Sequence, residues 1–190
     1  MLIQGFYFDQ TRCTNCLTCV VACKDWHNVP AGPHSWIRIK TIEEGRYPNL
    51  HVCFLVQCCY HCAKPSCVEV CPVRAIQKRE DNGIVVVDRE ACLGRDRCEL
   101  CSKECPYDAP QFGAEEYAKM QKCDLCLERL MQGLKPICVA ACPMRALDAG
   151  PINELMKKYG GGRVAEGFFF SSKLEPSIIF KLKAKSTSSD

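Results

Sequence analysis

The spacing of the cysteines constrains this chain more than any other feature. Sixteen of its eighteen cysteines fall into four quartets: Cys13, Cys16, Cys19, Cys23; Cys59, Cys62, Cys67, Cys71; Cys92, Cys98, Cys101, Cys105; and Cys123, Cys126, Cys138, Cys142. Three quartets end in Cys-Pro, at Cys71-Pro72, Cys105-Pro106 and Cys142-Pro143. The first has the Cys-x2-Cys-x2-Cys-x3-Cys spacing in which three sulfurs hold one iron–sulfur cubane and the fourth reaches a neighbouring cluster. The pattern implies iron–sulfur clusters, and implies that they come in pairs.

Two other uses of so much cysteine fit less well. A disulfide scaffold belongs to secreted chains, and residues 1–9 show no basic region followed by a long apolar stretch and a cleavage site. Gaps of two residues also gather thiols around a common point instead of bridging distant segments. Zinc is the stronger rival, because Cys59/Cys62 and Cys123/Cys126 resemble zinc-ribbon knuckles. Zinc takes two separated pairs, however, whereas the first quartet packs three cysteines at x2 spacing and a fourth at x3.

The formal net charge of +3 counts each cysteine as neutral. Sixteen thiolates would carry it to about −13, and four oxidised cubane cores at about +2 each would return it to about −5. The basic residues then serve partly to offset cluster charge, and no nucleic-acid partner is implied. No run approaches the roughly 18 apolar residues of a membrane span. Residues 52–57 and 168–170 are of strand length, so membrane attachment would have to come from another subunit.

Internal repeats organise the chain. Phe6, Tyr7, Phe8, Asp9 precede Cys13 as Val85, Val86, Val87, Asp88 precede Cys92, and Cys71-Pro-Val-Arg-Ala-Ile76 is echoed by Cys142-Pro-Met-Arg-Ala-Leu147. The predicted fold is α+β: two ferredoxin-like dicluster units, built from duplicated βαβ-type cluster-binding modules, with an inserted hairpin and a C-terminal extension. Residues 1–32 and 113–150 form the first unit with quartets one and four, and 58–112 the second with quartets two and three. Residues 33–57 are the inserted segment, and 151–190 a docking extension and tail. In each quartet the fourth cysteine is expected on a short helix that the following proline stops. Lys24 stands in place of proline after Cys23, so that helix should run longer. A helix is predicted over 152–159, closed by Gly160, Gly161 and Gly162, then extended segments over 168–170 and 177–182, and a disordered tail over 186–190.

Some residues resist assignment by counting. Cys53 reads as a small buried hydrophobe in a strand. Counting leaves Cys58-x3-Cys62 open, but Cys59-x2-Cys62 matches Cys123-x2-Cys126 and favours Cys59. His27, His34, His51 and His61 are scattered and read as surface groups or as neighbours of the ligands; no residue set forms an active site. Trp36, Tyr47 and Phe54 in the insertion read as an ordinary hairpin packed on its own core, with partner docking as the alternative.

Cys59-Tyr-His-Cys62-Ala-Lys-Pro-Ser-Cys67, Cys105-Pro-Tyr-Asp-Ala-Pro-Gln-Phe112, Lys122-Cys-Asp-Leu-Cys126 and Lys135-Pro-Ile-Cys138 through Gly150-Pro-Ile-Asn-Glu-Leu155 resemble the iron–sulfur electron-transfer (beta) subunits of molybdopterin oxidoreductases, and most of all that of dimethyl sulfoxide reductase. The resemblance spans about residues 6–160. It implies four [4Fe-4S] clusters relaying electrons between a molybdenum or tungsten pterin catalytic subunit and a quinone-linked membrane subunit or another redox partner. It also implies that quartets exchange their last cysteines. One cluster would then take Cys13, Cys16, Cys19 and Cys142, and its neighbour Cys123, Cys126, Cys138 and Cys23. The third would take Cys59, Cys62, Cys67 and Cys105, and the fourth Cys92, Cys98, Cys101 and Cys71.

The resemblance implies a non-catalytic subunit, either cytoplasmic or exported already folded with a signal-bearing partner. A freestanding soluble polyferredoxin is the competing reading; the inserted segment and the apolar residues 168–170 favour a fixed subunit. One departure stands out: the family usually places two residues between the first two cysteines of quartet three, whereas residues 93–97 make five here. That loop is expected to bring Arg95 and Arg97 close to its cluster and raise the potential.

Overall fold

The apolar run before the first quartet becomes β1 (Gln4–Asp9), the middle strand of a three-stranded sheet in the computed structural model, which describes residues 2–185. The tail expected to be disordered, 186–190, lies outside the described residues. On one side β1 pairs antiparallel with β6 (Leu147–Pro151), setting Phe6 opposite Ala149 and Phe8 opposite Leu147. On the other it runs parallel to β7 (Ile178–Lys181), with Phe6 opposite Ile178 and Phe8 opposite Phe180.

Alternation along a strand then divides its side chains between two faces. Phe6 and Phe8 enter the main core among the cysteines, and burying each contributes about 2–3 kcal/mol. Tyr7 points the other way, against Leu155 and Ile179, and stacks on Tyr159 at 3.8 Å between ring centroids. Those partners come from β7 and from α6 (Ile152–Tyr159), the helix predicted at that place, which ends at Gly160 with φ of 58°. Part of the extension 151–190 is therefore spent on covering β1.

The inserted segment is a long antiparallel hairpin of β2 (Ile37–Arg46) and β3 (Asn49–Cys58). Its base packs on the core through Ile37, Leu55 and Val56, and its tip is solvated, with Tyr47 94% exposed. Trp36 is held at the base by an Nε1–H bond to Gln121 Oε1 of 2.9 Å. A second, shorter hairpin joins β4 (Ile76–Lys78) and β5 (Val85–Val87).

The repeats in the sequence are also repeats in the backbone. Arg74 and Arg145 both have left-handed φ, 52° and 50°, and each donates its N–H to the carbonyl of the cysteine three residues earlier, Cys71 or Cys142, at 3.1 Å. The strand that follows is met alike: Asp88 N–H donates to Ala75 O, and Asp9 N–H to Ala146 O, both at 2.8 Å. Asp9 Oδ1 accepts from Thr11 N–H and Asp88 Oδ1 from Glu90 N–H, so the same turn leads from strand to cysteine loop in both places.

The helices differ from expectation in one respect. α2 (Ser66–Glu69), α3 (Leu100–Glu104) and α5 (Ile137–Ala141) carry the third cysteines, Cys67, Cys101 and Cys138, while the fourth, Cys71, Cys105 and Cys142, lie just past the last turn. A residue before proline is pushed out of the helical region, and Cys105 and Cys142 are extended accordingly, both with ψ of 107°. With no such proline, α1 (Thr18–Trp26) runs nine residues and carries both Cys19 and Cys23. The remaining helix, α4 (Leu127–Met131), follows Cys126.

The segment expected to be extended over 168–170 joins no sheet. Gly167 turns the chain at φ of 72°, and Phe168 folds inward among Tyr60, Tyr107 and Phe180. Phe169 is left 71% exposed, and Phe170 lies under the Arg163 guanidinium.

Candidate metal centres

Each of three cysteine loops is bent by residues in left-handed backbone, which turns successive N–H groups toward one side. Asn15 and Leu17 do this in the first loop, at φ of 56° and 59°, His61 in the second at 47°, and Leu125 and Cys126 in the fourth at 61° and 49°. N–H groups are directed at sulfur, among them Leu125 N to Cys123 Sγ and Ala146 N to Cys142 Sγ, both at 3.4 Å.

Three hollows result, each lined by four cysteines. Cys13, Cys16 and Cys19 share one with Cys142, walled by Phe8, Ile39 and Leu147. Cys59, Cys62 and Cys67 share one with Cys105, beside Tyr60, Tyr107 and Lys122. Cys92, Cys98 and Cys101 share one with Cys71, against Ile76, Phe112 and Met120.

The last four predicted ligands meet in the packed interior. Cys138 is fully buried, and its thiol is pushed well up, first by burial and then by Cys123, Cys23 and Cys126 beside it. Burial raises Cys126 to about 12, with Cys123 adding to the effect. Burial likewise raises Cys62 and Cys67 to about 12, each helped by neighbouring thiols. Four thiolates crowded in so apolar a place need a positive core between them.

The donor set fits a [4Fe-4S] cubane better than zinc. Four sulfurs on a tetrahedral zinc stand only about 3.8 Å apart and enclose no empty volume. Here each set of four sulfurs lines a hollow with mostly apolar walls, as a sulfide-containing cluster requires.

Several neighbours of the ligands had no role assigned by the sequence. Cys58 does not line the hollow of Cys59; its thiol hydrogen-bonds Cys123 in the buried group. His27 brings Nε2 to 3.3 Å from Cys126 Sγ and tilts against Trp36, 4.2 Å between ring centroids. His61 is fully buried, and its Nδ1 accepts from Val85 N–H at 3.0 Å, which leaves the proton of the neutral ring on Nε2. His34 and His51 touch none of the cysteines through a hydrogen bond. Cys53 is buried, as expected of a small apolar residue.

The long loop of quartet three departs from expectation. Its residue in the hollow is Leu93, while Arg95 pairs with Glu99 at 3.2 Å and Arg97 lies 5.7 Å from the Tyr117 ring centroid. Gly94 makes this arrangement possible at φ of 87°, since a Cβ there would stand 2.7 Å from Tyr117 O. Charged side chains with solvent and partners available outside the hollow have no reason to enter it.

A mixed α/β protein that turns cysteines in this way toward shared hollows is a 4Fe-4S dicluster protein, and residues 50–152 match the 4Fe-4S dicluster domain family. Among curated relatives, the B chain of the anaerobic dimethyl sulfoxide reductase of Escherichia coli (strain K12) is 42% identical, over 96% of this sequence and 90% of its own. The B component of the sulfite dehydrogenase of Allochromatium vinosum is 36% identical over 77% of this sequence and 68% of its own. Thiosulfate reductase electron transfer subunit PhsB of Salmonella typhi is 37% identical over 77% and 74%. The protein belongs to this family, the non-catalytic iron–sulfur electron-transfer subunits of the dimethyl sulfoxide reductase type.

Proposed function

We propose that the protein holds four [4Fe-4S] clusters in two pairs and relays electrons between a molybdenum or tungsten pterin catalytic subunit and a quinone-linked membrane subunit or another redox partner. The observation that carries this reading is the crossing of the fourth cysteines. Cys142 stands with Cys13, Cys16 and Cys19, and Cys23 beside Cys123 and Cys126, with Cys138 in the same group. Cys105 stands with Cys59, Cys62 and Cys67, and Cys71 with Cys92, Cys98 and Cys101. Each crossing ties two quartets into one unit, which supports residues 1–32 with 113–150, and 58–112, as the two dicluster units.

Bound clusters supply one-electron chemistry; the residues of the protein hold them, keep water away and balance their charge. In the apolar hollows a change of charge meets few dipoles that must reorient. The relatives include both reductase and dehydrogenase subunits, so the same relay serves either direction of flow. Among the described residues no helix is long and apolar enough to cross a membrane. Attachment to one would run through a partner subunit.

Anaerobic purification tests the reading. A complex containing a pterin-bearing large subunit and about sixteen irons per copy of this protein supports it. A protein that emerges alone with the same iron content is a free polyferredoxin, and one that folds colourless with zinc refutes cluster binding.

A further inference from the structure

The walls of the three hollows differ in one kind of residue. No charged side chain lines those of Cys13 and Cys92, but Lys122 lines that of Cys59. Lys122 is only 2% exposed, and its Nζ donates to the carbonyls of Val85 and Cys123. Lys78, half-buried, approaches the same cysteine loop and donates to Cys62 O and Gly83 O, both at 2.8 Å.

Neither ammonium has a carboxylate partner among the described residues. Elsewhere such partners are present: Lys135 and Lys158 share Asp148, Arg95 has Glu99 and Arg38 has Asp108. Carbonyl dipoles solvate a buried cation without cancelling its charge, and a buried charge left uncancelled is costly. The counter-charge here has to come from the thiolates around the hollow. Lys119 donates to Cys92 O at the neighbouring site and, like Lys78, does not line the hollow, so what separates the two sites is Lys122 in the wall of one of them.

Resting on the cluster assignment above, we propose that Lys122 and Lys78 are positioning charges that raise the potential of the Cys59, Cys62, Cys67, Cys105 cluster and make it the electron-collecting centre of its pair. Reduction adds one negative charge to the cluster. A positive charge in the low-dielectric wall, Lys122, with a second one, Lys78, against the cysteine loop, stabilises the reduced state more than the oxidised one.

The test is an EPR-monitored redox titration of the assembled protein, with iron and spin counts, for the parent, Lys122→Met, Lys78→Met and Lys122→Arg. Methionine keeps much of the length of the side chain and removes its charge. Each methionine variant should lower the same one of the cluster potentials by at least tenfold in the reduction equilibrium, about 59 mV for one electron. Lys122→Arg should stay near the parent. Full iron counts with unmoved potentials, or shifts in different signals, overturn the inference and leave the cluster assignment standing. Should Lys122→Met lose iron, Lys78→Met alone decides by the same criterion. A parent without cubane signals overturns the assignment itself.

Discussion

Cys58 and Cys59 adjoin in the sequence yet face different groups of cysteines: Cys59 lines the hollow with Cys62, Cys67 and Cys105, while the Cys58 thiol bonds Cys123. Successive residues of an extended segment point to opposite sides, and β3 ends at this pair. Cys59→Ser should therefore remove or convert one cluster, lowering the iron count by up to about four. Cys58→Ser should keep the full count. Iron and sulfide analysis of the two variants distinguishes them.

The crossing of ligands makes its own prediction. Cys142→Ser and Cys16→Ser, although 126 positions apart in numbering, should disturb the same EPR signal, because both sulfurs line one hollow. Cys138→Ser, only four positions from Cys142, should disturb a different one.

At the enlarged loop of quartet three, the Arg95 charge is already met by Glu99. Arg95→Ala leaves the Glu99 carboxylate uncompensated and should lower the potential of that cluster slightly, the pair being half exposed. Glu99→Gln leaves the guanidinium uncompensated and should raise it, as redox titration of both variants would record.

Asp148 anchors the far side of the sheet, accepting from Lys135 Nζ at 2.7 Å, Tyr159 Oη at 2.8 Å and Lys158 Nζ at 3.0 Å. Burial alone would raise its carboxyl, but these donors hold it down at about 2. A depressed carboxylate contributes stability that is full above its unfolded pKa of about 3.9 and is lost as pH falls toward 2. Asp148→Asn should cost about 2 kcal/mol in denaturant unfolding near neutral pH. That difference should stay constant down to about pH 4 and narrow below it.

Gly5 lies in the middle strand, where a Cβ would stand 2.5 Å from Ser177 O and 2.7 Å from Ile152 Cδ1. Gly5→Ala must push β7 or α6 away from β1. We expect a loss of about 1–3 kcal/mol, seen as earlier release of the visible cluster absorbance on heating.

Much of the site was legible because cubane ligation needs short local spacings, and x2 gaps with a terminal Cys-Pro record those spacings directly. The hairpin of the insertion, the helix ending at Gly160 and the longer first helix were equally local, each set by alternation, a left-handed glycine or a missing proline. Residues 168–170 misled because an apolar triplet carries no sign of whether a strand edge is free to receive it. Arg95 and Arg97 misled because spacing tells that a side chain is near, not which way it turns.

The sequence by itself determined that the protein gathers iron and sulfide, since ligand type and spacing along a loop are properties of consecutive residues. Only the tertiary structure decided what crosses between segments: Cys142 beside Cys13, Cys58 against Cys123, His27 on Cys126, and Lys122 in the wall of the Cys59 hollow. Those contacts depend on which faces the strands of the sheet and hairpins turn toward each other, and packing sets that orientation only once distant parts of the chain have met.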